Sequence, residues 1–445
     1  MKKKKRFPFD SFYRIMRSSQ AYNRRFTRLG RFTHSLAFIA FFLGIDTRRT
    51  FTAYIAFLAI ALLLAAMLFN RYSRMSFEAK RDLPRFGTVD ETVQYTLRVK
   101  NQTDRYQTGL VAFEDLRQTP LTYEELWRGK HNNEYRRNWF DDRVGYPRWL
   151  WMMRQRRGAN VDEHVVPPMP PHGEVDVTVD LIPIRRGYLH FDGTTLAAPD
   201  PFNIRRRLFS EPAPDKLLIL PKRYPVPNVE LSGRRRYQQG GVNLAMSVGD
   251  SMEFMSLRDY RPGDPLRHVH WKSWAKRGEP IVKEYQDEFF VRHALILDTF
   301  ADDSNPQVFE DAVSVAASFA CHTFPQDALL DFLFVGPQAF CFTSGRGLAH
   351  LDRILEILAC VESCNDKPFG DLLPLVRQHV DNVSGCICIL LQWDEQRQEL
   401  VEWLRHLGVP LVLILISDEE RPDVPSDVHV LASGEVEAGL AELRV

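Results

Sequence analysis

Residues 257–288 read LRDYRPGDPLRHVHWKSWAKRGEPIVKEYQDE, and this stretch decides how the chain is divided. Cations and carboxylates alternate in it with two tryptophans and two histidines. Asp264 suits a helix N-cap, because its carboxylate can accept a bond from an orphaned backbone N–H. Pro265 fits the first helical position, where no N–H is needed. Gly278, following Lys276 and Arg277, suits the stop. The spacing predicts a helix over 265–277 and an extended run over 281–285. On that helix Leu266, Val269, Ser273 and Arg277 would share one face, and Arg267, Trp271 and Ala275 another. Strand patterning precedes the stretch and alternating strands and helices follow it, which makes 223–290 a joining segment.

The same stretch resembles the signature of domain-of-unknown-function family fifty-eight: a Leu-Arg-x-Tyr-x-x-Gly-Asp run, a Trp-x-x-x-Ala continuation and a later Glu. Here these are Leu257, Arg258, Tyr260, Gly263, Asp264, Trp271, Ala275 and Glu284; Arg267 and Lys272 also fit, and His270 stands beside them. Arg185-Arg-Gly-Tyr188 and Asp200-Pro-Phe202 resemble family positions too. The resemblance implies a membrane-anchored α+β multidomain chain: a transmembrane hairpin, an antiparallel β-sandwich and an α/β von Willebrand factor A-like domain.

The chain has 445 residues, enough for two or three domains, and a net charge of +1, which argues against nucleic-acid binding by bulk charge. All six cysteines fall between Cys321 and Cys388, unlike a disulfide framework, and fit reduced thiols in a cytosol. Positive charge gathers in residues 1–31, at Lys2 to Lys5 and at Arg24, Arg25, Arg28 and Arg31. Two readings of that segment stand: a solvated tail, or an anchor on anionic lipid. Phe51 to Phe69 is apolar and long enough to cross a bilayer, whereas Phe32 to Ile45 is shorter. With a brief loop between them, residues 32–70 read as a hairpin; the other reading lays the first segment in the interface, which would put the C-terminal part outside, and no signal-peptide cleavage pattern follows the first segment. Cations in the tail and from Arg71 to Arg81 place both ends in the cytoplasm at a bacterial inner membrane.

Residues 75–222 read as the sandwich. Val93, Tyr95, Leu97 and Val99 alternate with polar residues, as do Val175, Val177, Val179 and Leu181. Tyr188 to Phe191 and Leu217 to Leu220 add strands. An insertion over 122–160 holds Trp127, Trp139, Trp149 and Trp151, read either as a loop packing its own aromatics on the sandwich or as a docking surface. We expect the docking surface, so that deleting 146–157 leaves the fold intact. Residues 291–445 alternate near-continuous apolar strands with amphipathic helices, the pattern of a covered parallel sheet.

An A-type domain places Asp-x-Ser-x-Ser after its first strand to hold Mg²⁺ or Ca²⁺. Here the segment is Asp298-Thr-Phe-Ala-Asp302, with Phe300 and Asp302 where the serines belong, leaving Asp298, Asp302 and Asp394 as remnants of a degenerate site and no cofactor expected. His268 and His270 diverge on a helix and are read as structural or partner contacts. Cys386 with Cys388, and Cys360 with Cys364, are read as core thiols sharing a strand face and a helical face. No phosphate loop, His-Glu-x-x-His helix or Gly-x-Ser-x-Gly elbow is present. The charged signature is read as an ion-pair network of Arg258, Asp259, Asp264, Arg267, Lys272 and Glu284, with Trp271 and Trp274 packed at the joint, or as a partner surface. The resemblance further implies a MoxR-type AAA+ ATPase partner and a transglutaminase-like membrane protein nearby. The expected role is therefore a non-catalytic adaptor in assembly of envelope or secreted proteins. The alternative is a metal-dependent membrane-associated hydrolase or transferase using Asp264, His268 or His270 with a metal near Asp298.

Overall fold

The computed structural model describes residues 7–43, 50–72, 74–118, 120–122, 146–227, 253–264, 266–286, 292–300, 306–322, 329–335, 339–344, 348–364, 368–380, 383–417 and 424–443. The chain divides into two units, Met1–Lys222 with Asp303–Asn305 and Glu356–Cys360, and Arg223–Asp302 with Pro306–Leu355 and Val361–Val445.

The first unit opens with α1 (Phe7–Arg25), α2 (Arg28–Leu43) and α3 (Thr50–Tyr72), followed by β1 (Phe77–Asp82), β2 (Phe86–Thr88), β3 (Val93–Asn101) and β4 (Val111–Leu116). Then come α4 (Tyr146–Arg156), β5 (Ala159–Val161), β6 (His164–Val165), β7 (Glu174–Pro183), β8 (Gly187–Pro199) and β9 (Arg206–Leu220). Phe51–Asn70 in α3 is, among the described residues, the one stretch of helix long and apolar enough to cross a membrane. The 16-residue α2 reaches about 24 Å at roughly 1.5 Å per residue, short of a bilayer core of about 30 Å. The two helices lie side by side. Ala37, Ala40, Ala56, Ala59 and Ala66 are buried, while Phe38, Phe41, Phe57 and Leu64 are more than half exposed. Small residues inside and large apolar ones outside is the reverse of a helix pair solvated by water.

Two sheets follow, ordered β1-β3-β7-β5 and β2-β9-β8-β4-β6. Pairing is antiparallel except between β2 and β9. The expected alternation holds, since Tyr95, Leu97 and Val99 of β3 and Val177, Val179 and Leu181 of β7 share one core with Leu189, Phe191, Leu217 and Ile219 of the other sheet. The two short strands expected near Tyr188 and Leu217 are parts of much longer ones, 13 and 15 residues. Arg81 needs correcting: it does not flank the membrane segment as a free charge. Its side chain, 1% exposed, lies inside the sandwich, where Nη2 meets Glu114 at 2.5 Å and Gly193 O at 2.8 Å.

The basic segment is not a solvated tail from Phe7 onward. Phe12, with Met16 beside it, packs against Trp149 and Met153 of α4, and this cluster also buries Leu121. Trp149 is fully buried. Removing 146–157 would therefore strip the apolar partner from α1, contrary to the expected dispensability. Trp127 and Trp139 lie outside the described residues.

The second unit holds a two-stranded ribbon, β10 (Glu253–Asp259) and β11 (Ile281–Gln286), with α5 (Trp271–Arg277) between them in sequence. After it come β12 (Arg292–Leu297), α6 (Pro306–His322), β13 (Leu329–Val335), β14 (Ala339–Ser344), α7 (Leu348–Cys360), α8 (Leu372–Val380), β15 (Gly385–Leu390), α9 (Glu395–His406), β16 (Leu411–Ser417), β17 (Val428–Ala432) and α10 (Val436–Ala441). Six strands form one sheet, ordered β14-β13-β12-β15-β16-β17. All pairs are parallel except β13–β14. Strands β14 and β17 lie at the edges and are less uniformly apolar, which is why the sequence pattern missed them. The strand order reverses between β12 and β15, so their carboxyl ends form the switch point of the sheet. Cys386 and Cys388 sit buried on β15, where burial pushes both thiols up. Cys360 ends α7 and Cys364 lies beyond it, so these two do not share a helical face.

Candidate functional site

The signature folds differently from the single helix expected over 265–277. A 3₁₀ turn covers Leu266–His268, and the chain then leaves helix geometry so that Val269 can bridge to Val282 of β11. His270 N–H also donates to Ile281 O at 2.8 Å. Only Trp271–Arg277 is α-helical. Gly278 stops it as expected, with φ +80°, a conformation that glycine adopts without steric penalty. Pro265 lies outside the described residues.

Asp264 does not cap a helix. Arg258 reaches it with a two-pronged fork, Nη1 to Oδ2 at 2.7 Å and Nη2 to Oδ1 at 2.8 Å. The Arg261 N–H donates to the same carboxylate at 2.8 Å. The fork and this N–H hold the Asp264 carboxyl low, at about 2. Asp264 thereby closes a turn in which Gly263 takes φ +111°, strained for any residue with a Cβ. Tyr260 N–H donates to Pro280 O at 2.9 Å, stitching the turn to the start of β11. Of the expected ion-pair network, Arg258–Asp264 is the pair formed among the described groups; the side chains of Arg267 and Glu284 lie outside them.

Trp271 is not buried. It is 63% exposed and stacks on Trp274 with ring centroids 5.2 Å apart at 19°. Leu257 and Leu266 are exposed as well. Lys272, Ala275, Lys276 and Arg277 are exposed on α5. The module thus presents an aromatic platform flanked by cations on a turn fixed by a bidentate ion pair. His270 Nδ1 lies 2.7 Å from Ser273 Oγ, a local pair one helical turn apart. His268 ends the 3₁₀ turn and His270 precedes α5, so the two do not sit on one continuous helix.

The other expected residues meet at the switch point. Asp298, fully buried at the end of β12, accepts from Phe300 N–H through Oδ1 at 2.9 Å. Its Oδ2 accepts from Leu391 N–H at 3.1 Å and Arg397 Nε at 2.6 Å. Arg397 also donates to Phe300 O at 3.2 Å and to Asp394, and its guanidinium lies 4.6 Å from the Phe369 ring centroid. Asp394 in turn caps α9 by accepting from Arg397 N–H at 2.9 Å. Burial raises the Asp298 carboxyl above the ordinary carboxylate range, and the Arg397 charge and the two N–H groups offset this only in part. A guanidinium therefore stands where the metal reading wanted a divalent ion, and Asp298 and Asp394 are corrected from metal remnants to partners of Arg397. Asp302 lies outside the described residues.

Sequence reasoning missed Arg397, yet a signal was there. Arg397, Leu400, Val401 and Leu404 fall at helical spacing, and all four are buried. A cation on an apolar stripe three residues after an Asp cap requires a buried acid.

No protein-family model matches the chain. The Bacillus subtilis (strain 168) protein described as "Uncharacterized protein YeaD" is 25% identical over 187 residues, 41% of this chain. The match spans only 45% of that relative's length. Among solved structures, the ASH / PapD-like domain of human CEP192 (PapD-like domain 7) aligns over 33% of this chain and 82% of that chain, at 11% identity and a TM-score of 0.17. A score that low says nothing about the fold of either unit.

Proposed function

We propose that this chain is a membrane-anchored, non-catalytic adaptor of domain-of-unknown-function family fifty-eight, whose signature module docks a MoxR-type AAA+ ATPase. The observation that carries the binding role is the stacked Trp271–Trp274 pair on α5, with Trp271 63% exposed, following a turn closed by Arg258 and Asp264. Exposed aromatics beside cations suit a protein interface, where Trp and Arg anchors dominate affinity. The six-stranded sheet, with one antiparallel edge and an Asp at the end of its first strand, supports a von Willebrand factor A-like reading. Arg397 would make that domain's engagement independent of a divalent ion.

The α2–α3 pair anchors the chain in a bacterial inner membrane, its soluble parts in the cytoplasm. In support, Arg25, Arg28 and Arg74 are exposed near the ends of the apolar segments. The role that follows is assembly or maturation of envelope or secreted proteins, beside a transglutaminase-like membrane protein. The enzyme alternative would use Asp264, His268 or His270 with a metal near Asp298; in this structure Asp264 and Asp298 are each engaged by an arginine.

The test is a mild-detergent pull-down of the full-length chain, with ATP, beside a folded Asp264→Ala, Trp271→Ala variant. Recovery of an AAA+ ATPase by the wild type alone supports the adaptor. Equal recovery by both, or by neither, contradicts it.

A further inference from the structure

The turn joining β8 to β9, residues 199–206, is built with unusual care for a surface loop. Asp200 is 4% exposed. Its Oδ1 accepts from Phe202 N–H at 2.8 Å and Ile204 N–H at 3.3 Å, and its Oδ2 from Arg205 N–H at 2.5 Å. Asn203 takes φ +52°, a left-handed conformation that Asn tolerates better than most residues. One carboxylate thus fixes the whole turn, and the fixed turn leaves Phe202 projecting, 47% exposed.

The same turn, with Arg207 just beyond it in β9, holds both ends of the helical pair. At the start of α2, Thr27 N–H donates to Ile204 O at 3.2 Å, and Thr27 Oγ1 donates to Asn203 O. Thr27 Oγ1 itself accepts from Gly30 N–H at 3.0 Å, which makes Thr27 the cap of α2. Phe26 and Arg205 form an antiparallel bridge. Gly30 passes so close that a Cβ there would sit 1.9 Å from Ile204 O. At the far end of α3, Arg207 Nη1 donates to the carbonyl of Asn70, the last residue of the apolar span. The first turn of α2 and the last turn of α3 are therefore seated on one β-hairpin. The pair leaves and returns on the same side, and it is docked on the sandwich.

We infer that the turn over residues 199–206 is a membrane-contacting wedge: Phe202 lies in the lipid interface, held there because the turn is locked to both bases of the helical pair. This rests on the membrane reading and adds to it a contact and a fixed orientation. Asn70 closes the apolar span, so the groups bonded to it stand at the depth where apolar core gives way to headgroups. An aromatic side chain at that level is in its favoured environment. Leu29 and Phe32, within one turn of the Gly30–Ile204 contact, are further exposed apolar side chains at the base of the helical pair. The occupant of this surface is the lipid headgroup and upper acyl region.

The test uses the full-length chain in phosphatidylethanolamine and phosphatidylglycerol vesicles. Phe202→Cys and Tyr188→Cys are labelled with a membrane-impermeant maleimide, and each site is read by peptide mass so that native cysteines do not interfere. Tyr188 is exposed at the other end of β8, about 35 Å away at roughly 3.3 Å per residue. Position 202 should label about tenfold more slowly than position 188. Gly30→Ala keeps a good helix former but opens the seat, and Thr27→Val removes the cap. In either background position 202 should label like position 188 while the chain still resists alkaline extraction. Equal labelling of 202 and 188 in the otherwise unchanged chain overturns the wedge, and protection that survives both seat variants overturns the lock. Release of the wild-type chain by alkaline extraction overturns the membrane reading itself, an outcome separable from the other two.

Discussion

Replacing Arg397 with methionine removes the only cation bonded to Asp298 among the described residues while preserving much of the side-chain volume. Asp298 is 0% exposed and Arg397 3%, so neither solvent nor salt can take over the missing charge. Burial without the guanidinium pushes the carboxyl further up, so the variant folds with more proton bound at Asp298. Breaking one side of a buried ion pair costs about 3–5 kcal/mol, which is the loss expected at pH 7. The direction with pH follows from linkage. The folded variant holds a proton that the unfolded chain releases, so its deficit grows as pH rises and shrinks toward pH 5. Asp298→Asn added to Arg397→Met removes the charge that needs pairing and should recover at least about 2 kcal/mol. Urea unfolding of the full-length chain in mild detergent, followed by tryptophan fluorescence at pH 5 and pH 7, measures all of these. A deficit under about 1 kcal/mol at pH 7, or one that does not change with pH, would refute the buried-pair account.

Arg81→Met should destabilise the sandwich by about 3–5 kcal/mol, because Glu114, 2% exposed, is left buried without its partner; Glu114→Gln should partly rescue it, in the same urea experiment. Arg81→Lys should rescue little, since one ammonium cannot span Glu114, Gly193 O and Ala213 O. His293 is 6% exposed, and burial lowers its pKa to about 4, against a hydrogen bond to the Gly385 backbone. Below about pH 6.5 the unfolded chain takes up a proton that the folded chain refuses until about pH 4. Stability should fall by up to roughly 3 kcal/mol across that window, and His293→Gln should flatten the profile. Trp271→Ala should change the urea midpoint by less than about 0.5 kcal/mol in stability, since the ring is mostly in solvent.

What the sequence disclosed tracked local periodicity. The strands at 93–101 and 174–183 alternate because one face is buried, and β12, β15 and β16 read as apolar runs because both faces are. Side-chain roles that depend on distant partners were hidden. Arg81 looked like one more juxtamembrane cation, although Phe77, Ala79 and Arg81 share the inward face of β1. Asp264 and Pro265 had the form of a helix start, but a bidentate Arg258 and the Val269–Val282 bridge outweigh a single capping bond. Phe12 and Trp149 lie too far apart in sequence for any local pattern to pair them. Trp271 was legible as a residue of interest and misjudged as to burial, because the seven-residue helix that carries it buries none of its residues.

The central claim is that the signature module is a partner surface, and the most direct measurement is an affinity. Full-length chain in lipid nanodiscs is titrated with the purified AAA+ ATPase recovered in the pull-down, beside Trp271→Ala and Asp264→Ala forms of equal urea stability. The account predicts that both substitutions weaken binding at least about tenfold, as loss of an interface anchor does. Affinities unchanged by either substitution would contradict it.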